Sequence, residues 1–151
     1  MRYQKPDWAT KNIFNPMIML ATKLGLSMRG SRILAVPGRK SGNIQTVPVN
    51  LLHFEDRRYL VAPRGVTQWV RNVRAADGGE LRLGRTRERF CATEIADAEK
   101  PALLRAYLKL WSMETGKFFG GVTHDAPEEE IQRIAPNHPV FLIESPLTPN
   151  P

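Results

Sequence analysis

The chain has 151 residues, 42% of them hydrophobic and 25% charged, which suits one globular domain with a buried core and is too short for two. No apolar stretch reaches the roughly 18 to 20 uninterrupted residues of a bilayer span, the start Met1-Arg2-Tyr3-Gln4-Lys5-Pro6-Asp7 has no secretory pattern, and the single Cys91 excludes an internal disulfide and any multi-cysteine metal site. Of the net charge of +7, +6 lies between Gly38 and Arg89, eleven Lys or Arg against five Asp or Glu, so this region is expected to face an anion: nucleic acid, an anionic membrane surface or a small phosphorylated ligand. A cytoplasmic location is the expectation.

Residues 1–29 read as an N-terminal helical segment of a single domain spanning 1–151. Asn15-Pro16 is an N-cap followed by proline at the first helical position, and Gly25 suits a stop, giving a short apolar helix near 16–24. Its polar face has only Thr22 and Lys23, which favours burial against the domain over contact with a membrane surface.

Ser31 to Val36 is a strand, ended by Pro37-Gly38 and a polar loop to Asn43. In the next strand, Gln45 to Phe54, Val47, Val49, Leu51 and His53 alternate with Thr46, Pro48, Asn50 and Leu52. Pro48 cannot donate a ladder hydrogen bond, so an edge, a bulge or a ligand is expected beside it. Glu55-Asp56-Arg57 turns the chain into a partner strand, Arg58 to Ala62. Gly65 to Ala76 reads as a helix with Trp69, Val70 and Val73 on one face, ended by Asp77-Gly78-Gly79.

A second hairpin, Glu80 to Arg85 and Arg89 to Ile95, turns Leu81 and Leu83 inward and is expected to pack Cys91 as a small apolar side chain. Asp97 caps a helix to about Met113, with Leu103, Leu104, Tyr107, Leu108 and Trp111 at helical spacing. A loop with Gly116, Gly120 and Gly121, an acidic helix near Pro127 to Ile134, a strand from His138 to Glu144 and a Pro-rich tail at 145–151 complete the chain. Hairpins with helices inserted between them argue for an α+β fold with a mainly antiparallel sheet, able to curl into a small barrel.

Two segments carry chemistry. Pro37-Gly38-Arg39-Lys40-Ser41-Gly42 is a glycine-bounded loop between strands whose amides and two cations suit phosphate oxygens. It is not a P-loop, since the order is Gly-Arg-Lys-Ser and a strand follows where a helix should. Ala62-Pro63-Arg64-Gly65, followed by Gln68-Trp69-Val70-Arg71-Asn72, places a cation where a strand passes into a helix, another site with free amides. Taken alone, the first is also compatible with a polar hairpin turn, Trp69 with plain core, and Asn72 with a loop anchor.

Together, Gly38-Arg39-Lys40-Ser41-Gly42, Pro48, Tyr59-Leu60-Val61-Ala62, Arg64-Gly65, Gln68-Trp69 and Asn72 resemble the deazaflavin-dependent nitroreductase and quinone reductase family over residues 30–95. The resemblance implies a split β-barrel that holds coenzyme F420, with FMN the less favoured cofactor. It implies that Arg39, Lys40 and Ser41 meet the phosphate and oligoglutamate tail. It further implies that Gln45, Thr46, Val47, Pro48, Val49 and Asn50 line the ring, that Val61, Ala62, Pro63 and Arg64 form the next wall, and that Gln68, Trp69, Val70, Arg71 and Asn72 close the site.

Three positions depart from the family pattern. Gln45 stands where an arginine or lysine is common, and Pro63 where some members have a serine. A C-terminal tyrosine cluster is absent, leaving Tyr107, Trp111, Phe118, Phe119 and His124 as candidates to cover the substrate. His53, His124 and His138 have no metal-ligand spacing, so no metal is assigned.

The implied activity is hydride transfer from reduced deazaflavin to a quinone, nitro-aromatic or other small electrophilic acceptor, which needs no acid–base constellation because the cofactor carries the chemistry. The alternative on the same barrel is a non-catalytic binder or carrier of deazaflavin, flavin or a lipid-like ligand. Nucleic acid is not expected as a partner, because aromatic residues do not interleave with the cations as base stacking requires.

Overall fold

The structure, a computed structural model, describes residues 31–146; the expected helix at 16–24 and most of the 145–151 tail lie outside that range. Six strands close into an antiparallel barrel in the order β1-β2-β3-β6-β5-β4: β1 (Ser31–Pro37), β2 (Ile44–Phe54), β3 (Arg57–Val61), β4 (Gly78–Leu83), β5 (Thr86–Glu94) and β6 (Val140–Glu144). Helix α1 (Gln68–Ala76) links β3 to β4, and α2 (Pro101–Thr115) and α3 (Glu128–Ile134) lie between β5 and β6. The α+β barrel expected from sequence is the observed fold.

Two apolar clusters explain the strand sequences. The barrel interior holds Leu34, Val36, Val49, Leu51, Leu60, Leu81, Phe90, Phe141 and Ile143, joined by Val70 and Val73 of α1. The second cluster lies between the strands and α2–α3, where Leu52, Tyr59, Val61 and Val140 meet Leu104, Tyr107, Leu108, Trp111, Phe119, Ile131 and Ile134. Strands β3 and β6 and the C-terminal part of β2 are therefore covered on both faces, which is why Leu51-Leu52 and Val140-Phe141-Leu142-Ile143 are continuous apolar runs. His53, expected to share the inward face of β2, is exposed because the strand has reached the barrel rim.

Local chemistry fixes the connections. Glu55 and Asp56 both take positive φ, 50° and 63°, the two-residue type I′ geometry whose twist matches antiparallel strands. Helix α1 begins at Gln68, not Gly65, because Gly65 adopts φ 82° and its N–H bonds to the Ala62 carbonyl in a turn. Asp77 (φ 57°) is the left-handed C-cap, so Gly78 and Gly79, expected to be loop, open β4 instead. Gly78 is required there: a Cβ would lie 2.1 Å from the Phe90 carbonyl oxygen across the ladder. Strand β5 starts earlier than expected, at Thr86, and alternation buries Phe90 while exposing Cys91, correcting the expectation that Cys91 is packed.

The barrel is split along one line. Strand β2 pairs with β1 from Ile44 to Asn50 but with β3 only from Leu51 to Phe54. Along Ile44–Asn50 its other edge has no strand partner among the described residues, and Pro48, which has no N–H to leave unsatisfied, sits in this stretch. Of the edge, bulge or ligand expected beside Pro48, the described residues show an edge.

Candidate binding site at the split edge

The β1–β2 connection folds back on itself through Gly38 N–H to Asn43 O and Gly42 N–H to Gly38 O, both 2.8 Å, with Gly42 at φ 78°. Ser41 Oγ accepts the Asn43 N–H at 3.1 Å, so this hydroxyl shapes the turn from within. The turn presents Arg39 and Lys40 outward, and both are exposed.

Helix α1 holds this turn in place through two side chains, the buried Asn72 and the exposed Gln68. Asn72 is 1% exposed, and its Oδ1 accepts the Arg39 backbone N–H at 3.1 Å and Arg39 Nη1 at 3.0 Å. Arg39 Nη1 also donates to Gln68 Oε1 at 2.8 Å, and Asn72 Nδ2 approaches Gln45 Oε1 at 3.5 Å. Arg39, Gln45, Gln68 and Asn72, spread over 34 residues of sequence, thus form one polar network beside the open edge of β2. Asn72 is thus a loop anchor, and the loop it anchors carries Arg39 and Lys40.

The electrostatics follow from what is missing among the partners. Every oxygen that Arg39 meets is a neutral amide, and among the described residues neither Arg39 nor Lys40 pairs with a carboxylate. A neutral acceptor orients a guanidinium without cancelling its charge, so the turn keeps a positive field for an anion. Three arginines of the strands and α1 are instead neutralised: Arg58 with Glu88 across the barrel at 2.5 Å, Arg74 with Glu94 at 2.7 Å and Arg82 with Glu80 at 2.6 Å. The Arg58 guanidinium holds the Glu88 carboxyl below its usual range, chiefly through their hydrogen bond.

The remaining sequence-predicted positions divide by burial. Gln45 and Thr46 are exposed, Val47, Pro48 and Asn50 half-buried, and Val49 faces the barrel core. Val61 packs toward α2, Ala62 and Val70 belong to the barrel interior, Pro63 and Arg64 are half-buried, and Gln68 and Arg71 are exposed. Trp69 is half-buried with its ring 6.1 Å from that of Phe141 at 55°. Arg64 and Lys117 both lie over the Phe118 ring, at 5.1 and 5.2 Å.

Of the aromatic candidates for the substrate, Tyr107, Trp111 and Phe119 are core residues beneath α2. Phe118 is half-buried beside Arg64, and His124 is exposed on a separate open pocket of about 420 Å³ with Leu108, Gly121 and Val122. Among the described residues no three His, Cys, Asp or Glu gather as metal ligands.

Sequence reasoning attached no role to His138, because a lone histidine before a strand carries no motif. It is 3% exposed, its Nδ1 lies 3.3 Å from the Ala62 carbonyl oxygen, and its ring stacks on Phe119 with centroids 4.1 Å apart. Burial pushes its pKa down to about 4, with the nearby Lys100 charge acting the same way against the raising effect of the Ala62 and Pro63 backbone. The imidazole is therefore neutral near pH 7, and a proton on Nδ1 makes it a donor to Ala62.

Residues 16–116 match the family model of the F420H(2)-dependent quinone reductases. No curated protein matches the chain. Among solved structures, a domain-swapped dimer is similar at 17% identity over 91% of this chain and 98% of that one, with a TM-score of 0.56. An F420-H2 dependent reductase, FDR-A, aligns at 18% identity over 77% of this chain and 95% of its own, TM-score 0.54. A conserved hypothetical protein from Mycobacterium tuberculosis aligns at 16% identity over 84% and 78%, TM-score 0.52. At these identities the structural likenesses establish the barrel fold.

Proposed function

The chain belongs to the F420H(2)-dependent quinone reductase family, and on that premise we propose that it transfers a hydride from reduced coenzyme F420 to a quinone, nitro-aromatic or similar electrophilic acceptor. The observation that carries this reading is the network of Arg39, Gln45, Gln68 and Asn72, which sets Arg39 and Lys40, neither paired with a carboxylate among the described residues, beside the β2 edge that β3 does not cover. A phosphate with a carboxylate tail fits that field, and a planar ring fits an edge where Pro48 presents no free N–H.

Each set of residues has a task. Arg39 and Lys40 neutralise the tail, with Ser41 holding the turn and Arg71 adding a further exposed cation on α1. Gln45, Thr46, Val47, Pro48, Val49 and Asn50 supply the ring's side of the groove, and Val61 to Arg64 the opposite wall. Gln68, Trp69, Val70 and Asn72 close the end, two by hydrogen bonding and two by packing. Phe118, steadied by Arg64 and Lys117, is the aromatic surface available to an acceptor, while Tyr107, Trp111 and Phe119 support it from the core.

When bound, the reduced deazaflavin supplies the hydride from its ring carbon; the protein supplies position, charge balance and exclusion of water. No nearby acid–base group is needed for that step. The test is turnover: purified protein with reduced F420 and a soluble quinone should regenerate the oxidised coenzyme's absorbance far above the rate without protein. Binding of the coenzyme without turnover against any acceptor would move the protein to the carrier reading, and equal turnover with reduced FMN would remove the deazaflavin assignment.

A further inference from the structure

We infer that His138 is the positioning residue that sets the gap between two walls of the site, the Ala62–Arg64 bend and the Phe118–Phe119 turn. This rests on the proposal that the acceptor enters beside those walls. His138 touches both at once. Its Nδ1 faces the Ala62 carbonyl at 3.3 Å, and its ring lies against Phe119 at 4.1 Å and 24°, a stacked contact.

The surrounding bonds show why one side chain controls the geometry. Ala62 is held on three sides: its N–H bonds to Pro139 O at 2.8 Å, its carbonyl receives the Gly65 N–H at 3.3 Å, and the same carbonyl faces His138. The bend carrying Pro63 and Arg64 is therefore closed on Ala62 and tied through it to the start of β6. On the other side, Phe119 O accepts the Val122 N–H at 3.1 Å, so the stacked ring belongs to a closed turn whose neighbour, Phe118, lies under Arg64.

The imidazole is itself fixed. The His138 N–H bonds to Ala135 O at 3.2 Å, and that same carbonyl accepts from Lys100 Nζ at 3.0 Å. Lys100 is 2% exposed and paired with Asp97 at 2.7 Å, so the segment beneath His138 is anchored by a buried, compensated charge. Lys100 is already matched to Asp97, while the other charged groups at this corner, Arg64 and Lys117, lie over the Phe118 ring. Side chains that hold reacting partners through a second residue act on rate by placement, where an ångström of error is worth up to a hundredfold.

Two variants separate placement from general stability. His138→Phe keeps the volume and the stack but removes the donor, whereas His138→Asn restores an N–H near the Nδ1 position and loses the stack. For His138→Phe, amide exchange at Gly65 should rise at least about tenfold while Leu34, in the barrel, stays unchanged. The Kd for oxidised F420, whose ring the Ala62–Arg64 bend walls, and the KM for the acceptor should each rise about threefold or more, and His138→Asn should recover Gly65 protection and coenzyme affinity at least in part. Unchanged Gly65 exchange in His138→Phe, or unchanged coenzyme Kd and acceptor KM in that variant, overturns the inference. Failure of the wild-type protein to bind F420 would instead sink the functional proposal, and the exchange data would still judge the tie between His138 and the bend.

Discussion

Replacing Asn72 by Ala removes the one buried acceptor that holds the β1–β2 turn against α1. Its bond from the Arg39 N–H, at 3.1 Å, is neutral and contributes about 1 kcal/mol, in line with ordinary intramolecular hydrogen bonds. The bond from Arg39 Nη1, at 3.0 Å, is charge-assisted, but the guanidinium keeps Gln68 Oε1 at 2.8 Å and has access to water, so its loss adds roughly 1 kcal/mol more. The bond to Gln45, at 3.5 Å, is the longest in the network and adds little to this sum. Urea unfolding should therefore show a loss of about 2 kcal/mol with an unchanged m-value. Coenzyme affinity should fall about tenfold, because Arg39 must then be ordered at the expense of binding, roughly 1.4 kcal/mol. Asn72→Asp gives the sharper contrast: the oxygen that accepts both bonds survives, so stability should stay within about 1 kcal/mol of wild type, while the new carboxylate cancels the Arg39 charge and F420 affinity falls at least about tenfold. A stability loss under about 0.5 kcal/mol for Asn72→Ala, together with wild-type affinity for Asn72→Asp, would refute the reasoning.

Three further expectations follow from other parts of the molecule. Changing Lys40 and Arg64 together to Ala should weaken F420 binding by about 2 to 4 kcal/mol in a fluorescence titration, with stronger salt sensitivity in the wild type than in the double variant. Because burial depresses the His138 pKa from 6.5 to about 4, the unfolded chain binds more protons in that window, so its stabilising contribution is full above the unfolded pKa and is lost as pH falls. From about pH 7 to about pH 5 the wild type should lose roughly 2 kcal/mol through this group, a loss absent from His138→Asn when the two urea profiles are compared. Gly78→Ala should destabilise by about 3 kcal/mol or more, or prevent folding, since its Cβ would lie 2.1 Å from the Phe90 carbonyl oxygen in the β4–β5 ladder.

Much of the barrel is legible in the sequence because its strands are bounded by strong punctuation. Pro37-Gly38, Glu55-Asp56 and Asp77 each end an element where local backbone chemistry demands it. What sequence periodicity cannot convey is that β3, β6 and the C-terminal part of β2 are covered on both faces. A strict alternation therefore places Leu52 on the polar side, when Leu51 and Leu52 serve the two clusters separately. Gly78 and Gly79 read as loop because the close approach that requires Gly78 comes from a strand that follows it in sequence.

At the site, the loop cations and α1 are visible as motifs, and the family resemblance supplies their order. The bonds that join Arg39 to Gln68 and Asn72 depend on barrel closure, so only the fold brings these residues together. The aromatic set from Tyr107 to Phe119 divides for the same reason: helical spacing marks Tyr107 and Trp111 as one apolar face, and α2 turns that face to the barrel, leaving Phe118 half-buried beside Arg64. His138 has no sequence signature at all, since its contacts with Ala62 and Phe119 arise from the antiparallel pairing of β3 with β6 and the packing of the turn after α2.

The most direct test of the central claim is titration of the purified protein with oxidised F420, with FMN in parallel, following quenching of tryptophan fluorescence. The account predicts saturable binding of F420 at least about tenfold tighter than FMN, a margin of roughly 1.4 kcal/mol. Binding of neither, or tighter binding of FMN, would contradict it.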